Sequence, residues 1–231
     1  MPEWTTRALS ELADIRISNV DKKSIAGEMP VRLCNYMDAY ANDYIRSNID
    51  FMEATASATE IARFSVVAGD LVLTKDSETP DDIGIPAVVM DRIDDLVCGY
   101  HLALLKTKQE LIDPVFLCKQ LSTSRVAQYF GQRATGSTRY GLPNRALATL
   151  QIPVPPLAVQ RTIASIIQAI DTAIEKTEAL IAKHQQIKAG LMHDLFTRGV
   201  LPNGQLRPPR SEAPELYQET ALGWIPAEWR F

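Results

Sequence analysis

Three prolines crowded together, Pro153, Pro155 and Pro156, are followed by about forty residues with no further proline, and across that stretch apolar residues recur every seven positions. One line runs Ile163, Ile170, Thr177, His184, Leu191; a second runs Ile167, Ile174, Ile181, Lys188, Leu195. Spacings that alternate between three and four keep one face turned to a partner helix. Sustained over five heptads, they predict a coiled-coil helix across 157–197. At about 1.5 Å of rise per residue the helix spans roughly 60 Å. A 231-residue chain does not need such a length for its own core, so the helix is expected to hold two things at a set separation. Thr177, His184 and Lys188 suit a monomer's core badly, whereas single polar residues in a seam fix register. The residues expected to meet a partner helix are Ile163, Ile167, Ile170, Ile174, Ile181, Leu191 and Leu195. His184 has no Cys, Asp or Glu at ligand spacing on its own turn, so no metal is expected there.

A hydrophobic content of 46% and a charged content of 23% allow one globular domain with an appendage. The three cysteines (Cys34, Cys98 and Cys118) stand in apolar contexts, which predicts buried free thiols in a reducing compartment. Cys98 and His101 have C-x-x-H spacing but no second pair to complete a zinc site. The N-terminus lacks an apolar signal core and no window approaches 18 apolar residues, so a cytoplasmic chain with no membrane partner is expected. The net charge of −4 hides a segregation. From Pro114 to Ile170 there is no Asp or Glu, while Lys119, Arg125, Arg133, Arg139, Arg145 and Arg161 all fall there. From Asp76 to Asp95 seven acids face a single base, Arg92. A chain sorted this way can present a cationic face to a polyanion and stay acidic overall.

The first 150 residues read as α+β, a mixed α/β domain of short elements ahead of the long helix. Strands are expected at Val31–Leu33, Leu71–Thr74, Ala87–Met90 and Leu102–Lys106, and a helix at Ala54–Phe64. A second helix, Pro114–Phe130, has Asp113 at its N-cap and Pro114 in its first turn. Gly131–Gly141, polar and bounded by glycines, is expected to be a loop. Gly199 is placed to end the long helix, and a proline-rich linker, Leu201–Pro214, follows it. The closing Trp224–Pro226–Glu228–Trp229–Arg230 resembles the opening Pro2–Glu3–Trp4–Arg7, as though a second copy of the domain were beginning.

Three motifs invite an enzymatic reading and none is complete. Gly131, Gly136 and Ser137 have P-loop glycine spacing without the lysine. Asp70 and Lys75 lack the acid-x-Lys pair of a metal-dependent nuclease. Val154–Pro155–Pro156–Leu157 holds the two prolines of an amino-methyltransferase motif without its flanking residues. No catalytic residue and no cofactor is therefore assigned.

Ile152–Pro153–Val154–Pro155–Pro156–Leu157, then Gln160 and Ile163–Ala164, resembles the junction between recognition domain and spacer helix in specificity subunits of Type I restriction-modification systems. Val159 stands where that family usually has an acid. Upstream pieces agree and keep the family's order: Asn19–Lys23, Pro30–Tyr36, Gly69–Asp70 with Thr74–Ser77, Cys98–Leu102 and Gly136–Leu142. The resemblance implies a non-catalytic subunit that reads double-stranded DNA and scaffolds methyltransferase subunits and, for cleavage, a restriction subunit. A typical member carries two recognition domains and two antiparallel spacer helices. This chain has a recognition domain at 1–155, a spacer helix at 157–197, and a stretch at 198–231 that reads as the start of a second recognition domain. A homodimer through antiparallel spacer helices would restore the pair, and its target would be an interrupted palindrome with half-sites about 34 to 36 Å or more apart.

Candidate DNA contacts lie in four places. The 131–141 loop offers Arg133, Thr135, Ser137, Thr138, Arg139 and Tyr140, where an arginine can grip guanine in two-pronged fashion or clamp phosphate. Lys22 and Lys23 form a second edge. Thr74, Lys75 and Ser77 end an apolar strand and are expected at a rim. Tyr100 and His101 can stack on or hydrogen-bond a base. The alternative is a dimeric coiled-coil scaffold whose globular head binds protein; salt-dependent DNA binding separates the two readings.

Overall fold

The computed structural model describes residues 4–221 and 223–230. Met1, Pro2 and Glu3, which take part in the terminal resemblance noted above, lie outside them. The described chain divides into two compact units, Met1–Ile167 and Gln168–Phe231.

The first unit opens with β1 (Thr5–Ala8), α1 (Leu9–Leu12), β2 (Ala13–Ile17), β3 (Met29–Cys34), α2 (Tyr36–Tyr40), β4 (Tyr44–Ile45) and β5 (Met52–Ala56). It continues through α3 (Ala58–Phe64), β6 (Leu71–Thr74), β7 (Asp76–Ser77), β8 (Pro86–Val89), β9 (Leu96–Cys98) and β10 (Leu102–Thr107). Then come α4 (Pro114–Leu121), α5 (Ser124–Gly131), β11 (Tyr140–Gly141), α6 (Asn144–Ala148), β12 (Gln151–Val154) and the long helix α7 (Leu157–Thr197).

A five-stranded sheet in the order β2-β10-β6-β8-β4 carries the domain. Its inner strands are apolar without interruption, as in Leu71–Val72–Leu73 and Leu102–Ala103–Leu104–Leu105, because both of its faces are covered. Leu71, Leu73, Ala103 and Leu105 face a core shared with α4 and α5, where Phe116 and Phe130 are buried. Val72, Leu102 and Leu104 face the second core, shared with the three-stranded sheet β5-β3-β9. β1 pairs antiparallel with β12, Thr5 opposite Val154, which ties the start of the domain to its end. Cys34, Cys98 and Cys118 are buried and in no disulfide.

Two expected helices are corrected. Residues 54–56 are strand, with Ala54 opposite Val31 and Ala56 opposite Met29. Burial of Ala54 and Ala56 in the second core overrides their helix propensity. The helix starts at Ala58 behind the N-cap Ser57, whose hydroxyl accepts the Glu60 amide while the Glu60 carboxylate accepts the Ser57 amide. The expected 114–130 helix is two. Ser122 donates its hydroxyl to the Cys118 carbonyl and Thr123 donates to that of Gln120, so side chains satisfy the end of α4 and the backbone turns before α5.

Gln160 anchors the first turn of α7. Its side chain is buried; Oε1 accepts the Asp113 amide at 2.8 Å, and Nε2 donates to the carbonyls of Pro155 at 2.8 Å and Leu111 at 3.2 Å. Asp113 in turn caps α4 by accepting the Phe116 amide, so one amide fixes the starts of two helices.

In the second unit, Gly199 takes a positive φ of 66° after the helix end. The stretch 201–214 folds back: Arg207 is buried, stacks near Tyr217, pairs with Glu228, and exchanges Nε-to-carbonyl bonds with Arg198. A hairpin of β13 (Tyr217–Thr220) and β14 (Gly223–Pro226) follows.

Replacing Gln160 with leucine strands one buried amide and two carbonyls, each worth about 1 to 3 kcal/mol when unpaired. Thermal unfolding should show the melting temperature of Gln160→Leu lowered by at least about 4 °C, and an unchanged temperature would refute the anchoring role.

Candidate nucleic-acid interface

The cleft is assembled from five separate stretches of chain. Asp21 and Lys22 follow β2; Tyr36, Met37 and Tyr40 come from α2; Asp76 and Ser77 from β7, with Glu78, Thr79 and Asp82 after it. Tyr100 and His101 come from the β9–β10 turn, and Arg139 from the 131–141 loop. The cleft, open to solvent, has a volume of about 600 Å³.

Pairing of β7 with β11 builds it. Tyr140 lies opposite Ser77 and Gly141 opposite Asp76, while the Leu142 amide donates to the Lys75 carbonyl at 2.9 Å. Two candidate segments far apart in sequence are thus laid side by side. Thr135 closes the loop through a two-way backbone bridge with Gly141. Gly136 at its turn has φ 143°, and a Cβ there would stand 2.0 Å from the Arg139 carbonyl oxygen, so only glycine fits.

The polar groups of the cleft are held in place. His101 Nδ1 lies 2.6 Å from Asp76 Oδ2, and its backbone adopts a positive φ of 72°, rare for a residue other than glycine. The Tyr100 ring, exposed, sits 3.9 Å from the His101 ring. Tyr36 and Tyr40 stack at 5.6 Å, and the Tyr40 hydroxyl donates to Asp82 at 2.9 Å. Burial, with the Asp82 charge second, raises the Tyr36 phenol above its ordinary value, and the bond to Asp82 raises that of Tyr40; both therefore remain O–H donors at neutral pH.

Of the residues expected to contact DNA, the cleft brings together Lys22, Ser77, Tyr100, His101 and Arg139. Ser137 and Thr138 are exposed in the adjoining loop and Tyr140 is half-buried on β11. Lys23 pairs with Asp21 at 2.5 Å, and Lys75 approaches Asp76 at 3.9 Å. Thr74 is a correction: it is fully buried and its hydroxyl accepts the Ile85 amide. The rim begins after it, because Thr74 still belongs to the central sheet. Asp70, weighed with Lys75 as a nuclease pair, is instead buried against Lys106 at 2.7 Å. Sequence reasoning missed Tyr36, Tyr40, Asp76 and Asp82 as lining residues; for the two tyrosines the local signal was their spacing of four, one helical turn.

Arg133 belongs to a second surface beside the same loop. Its guanidinium lies 3.7 Å from the Tyr129 ring centroid, and the Tyr129 hydroxyl donates to the Ala146 carbonyl on α6. Thr149 bonds the Arg145 carbonyl, Gln151 bonds that of Thr149, and Arg125 donates to that of Gln151. Arg125, Arg133 and Arg145 are thereby gathered, exposed, on one ridge. The acid-free stretch supplies no carboxylate to neutralise them.

Residues 1–183 match the family model described as the Type I restriction modification DNA specificity domain. The chain belongs to this family. Among its relatives in Methanocaldococcus jannaschii, the protein described as the MjaX type I restriction enzyme specificity subunit is 26% identical over 173 residues. The match covers 74% of this chain and 37% of that one. The MjaVIII specificity subunit of the same organism is 27% identical over 54% of this chain and 26% of its own length. Among solved structures, the HsdS subunit from Thermoanaerobacter tengcongensis has a TM-score of 0.56 at 16% identity, covering 98% of this chain and 52% of that one. The Type I S subunit from M. genitalium has a TM-score of 0.55 at 17% identity, covering 84% and 46%. The fold, a mixed α/β domain followed by a long helix, is thus shared with specificity subunits, and the chain spans about half the length of those solved chains or less of the curated relatives.

Gly136→Ala adds a methyl group into the Arg139 carbonyl at a backbone angle that favours glycine, a strain of about 1 to 3 kcal/mol. The 131–141 loop should lose its protection in amide hydrogen exchange while β6 and β10 keep theirs; uniform protection across all three would contradict the role given to Gly136.

Proposed function

We propose that this chain is a non-catalytic, cytoplasmic DNA-reading subunit of a Type I restriction-modification complex. It reads one half of a bipartite target and scaffolds methyltransferase and restriction subunits. Residues 1–155 act as the recognition domain, 157–197 as the spacer, and 198–231 open a second recognition domain. The observation that carries the reading is the 131–141 loop, flanked by a cationic ridge on one side and a cleft of aromatic and hydrogen-bonding groups on the other. Phosphate contacts position a protein on the duplex and base contacts specify sequence; the ridge suits the first task and the cleft the second. Arg133, Thr135, Ser137, Thr138, Lys22 and Lys75 stand at or near that junction.

Co-expression with the neighbouring methyltransferase and mapping of methylated adenines should yield an interrupted palindrome. Absence of any motif would overturn the DNA-reading role. In duplex-binding titrations, Arg133→Ala combined with Arg145→Ala should weaken all sequences alike and reduce the salt slope by about 1 per arginine. Binding insensitive to salt would favour a protein-binding head instead.

The partner of the exposed helix is a second copy of this chain, paired antiparallel. Ile170, Ile174, Ile181, Leu191 and Leu195 are each about half exposed, and Ile166, Leu180 and Ile187 widen the stripe. With a two-fold axis at Ala179, Ile163 meets Leu195, Ile167 meets Leu191, Ile170 meets Lys188, Ile174 meets His184 and Thr177 meets Ile181. No two polar seam residues then face each other. Parallel pairing sets Lys188 against Lys188 and His184 against His184, which antiparallel pairing avoids. Light scattering at micromolar concentration should give twice the chain mass, and Ile174→Glu with Ile181→Glu should halve it. A monomeric native chain would exclude self-pairing and leave the family membership intact.

A further inference from the structure

The cleft has the wrong charge for a phosphate. Asp21, Asp76, Glu78 and Asp82 line it against Lys22 and Arg139, whereas Arg125, Arg133 and Arg145 of the ridge beside it come from a stretch of sequence without Asp or Glu. Carboxylates repel the DNA backbone but accept hydrogen bonds from the exocyclic amines of bases, which in the major groove are adenine N6 and cytosine N4. A lining richer in acceptors than in cations therefore selects for a donor-bearing base edge.

His101 is the group best prepared for that contact. Ionised Asp76 can only accept a hydrogen bond, so the short bond at 2.6 Å places the imidazole proton on Nδ1. With Nδ1 held by Asp76, Nε2 is the ring nitrogen left to meet a ligand, and an imidazole that carries its one proton on Nδ1 accepts a hydrogen bond there. The Lys75 amide donates to the His101 carbonyl at 2.9 Å, and that bond pins the backbone in its left-handed conformation. Such conformations cost energy and persist where the surroundings enforce them, as at binding sites. Tyr100, packed on the imidazole and exposed, supplies an adjoining aromatic face.

We infer that the His101–Asp76 pair is a specificity determinant that reads the amino group of an adenine or a cytosine in the major groove, with Nε2 of His101 as the acceptor. The inference rests on the DNA-reading function proposed above. Asp76 is a positioning residue that sets the tautomer, and the arginine ridge supplies the sequence-independent attraction.

The test begins with the motif obtained by methylation mapping of the native chain with its methyltransferase. If the native chain yields no motif, the DNA-reading function itself fails and this inference falls with it. Given a motif, His101→Asn is the first variant, because asparagine tolerates positive φ but is too short to keep the Nε2 contact. Asp76→Ala is the second, since it releases the tautomer. Both should lose roughly tenfold or more discrimination at one and the same position, an A·T or C·G pair, while affinity for non-target duplex and its salt slope stay as in the native chain. A folded variant that keeps the native motif, or that weakens all duplexes alike, overturns the assignment. A measurement independent of folding uses the native chain on target duplexes in which each adenine is replaced by purine, without N6, and each cytosine by 2-pyrimidinone, without N4. One substitution in each half-site should weaken binding about tenfold; if none does, the pair does not read an amine.

Discussion

A single buried amide joins the mixed α/β domain to the start of its long helix. Gln160 stands in the first turn of α7 with all of its hydrogen-bonding directions toward the domain engaged, by the Asp113 amide and by the carbonyls of Pro155 and Leu111. Because Asp113 also caps α4, the same contact holds α7 to the core that contains Phe116 and Phe130. A glutamine buried without these partners would be costly, and with them it is a directional lock that a hydrophobic residue could not supply. Pro155 and Pro156 complete the junction by denying the preceding strand any continuation as helix.

The second organising constraint is electrostatic. A chain with a net charge of −4 can still present a cationic surface, because its cations are sorted away from its acids along the sequence. The Asp-free and Glu-free stretch folds into α4, α5, α6, β12 and the start of α7, and it delivers Arg125, Arg133 and Arg145 to one ridge. The acid-rich stretch supplies Asp76, Glu78 and Asp82 to the cleft beside it. The strand pairing of Ser77 with Tyr140 brings the two into contact. Under the proposed DNA-reading function, attraction and discrimination would fall to neighbouring surfaces of opposite character.

Much of this was legible in local sequence, for identifiable reasons. The heptads of α7 were readable because a periodic helix needs no tertiary information to declare itself. The apolar runs Leu71–Leu73 and Leu102–Leu105 declared strands buried on both faces. Where tertiary burial competed with propensity, local reading failed: Ala54 and Ala56 look helical and are strand because β3 takes them into the second core. The break between α4 and α5 rests on hydroxyl-to-carbonyl bonds of Ser122 and Thr123 that no periodicity reveals. Thr74 illustrates the same limit at a site, since one residue separates the buried end of a strand from its rim.

By itself the sequence determined the long amphipathic helix, its proline-marked start, its glycine stop, the segregation of charge and the family's order of motifs. These are properties of neighbours along the chain, set by backbone sterics and by residue spacing. Only the tertiary structure decided which distant residues share a surface. Lys22, Tyr36, Asp76, His101 and Arg139 come from separate helices, strands and loops, and strand pairing across scores of residues helps bring them to one cleft. The partner of His101 was likewise beyond the sequence, because it is a carboxylate 25 positions away in the chain and 2.6 Å away in space.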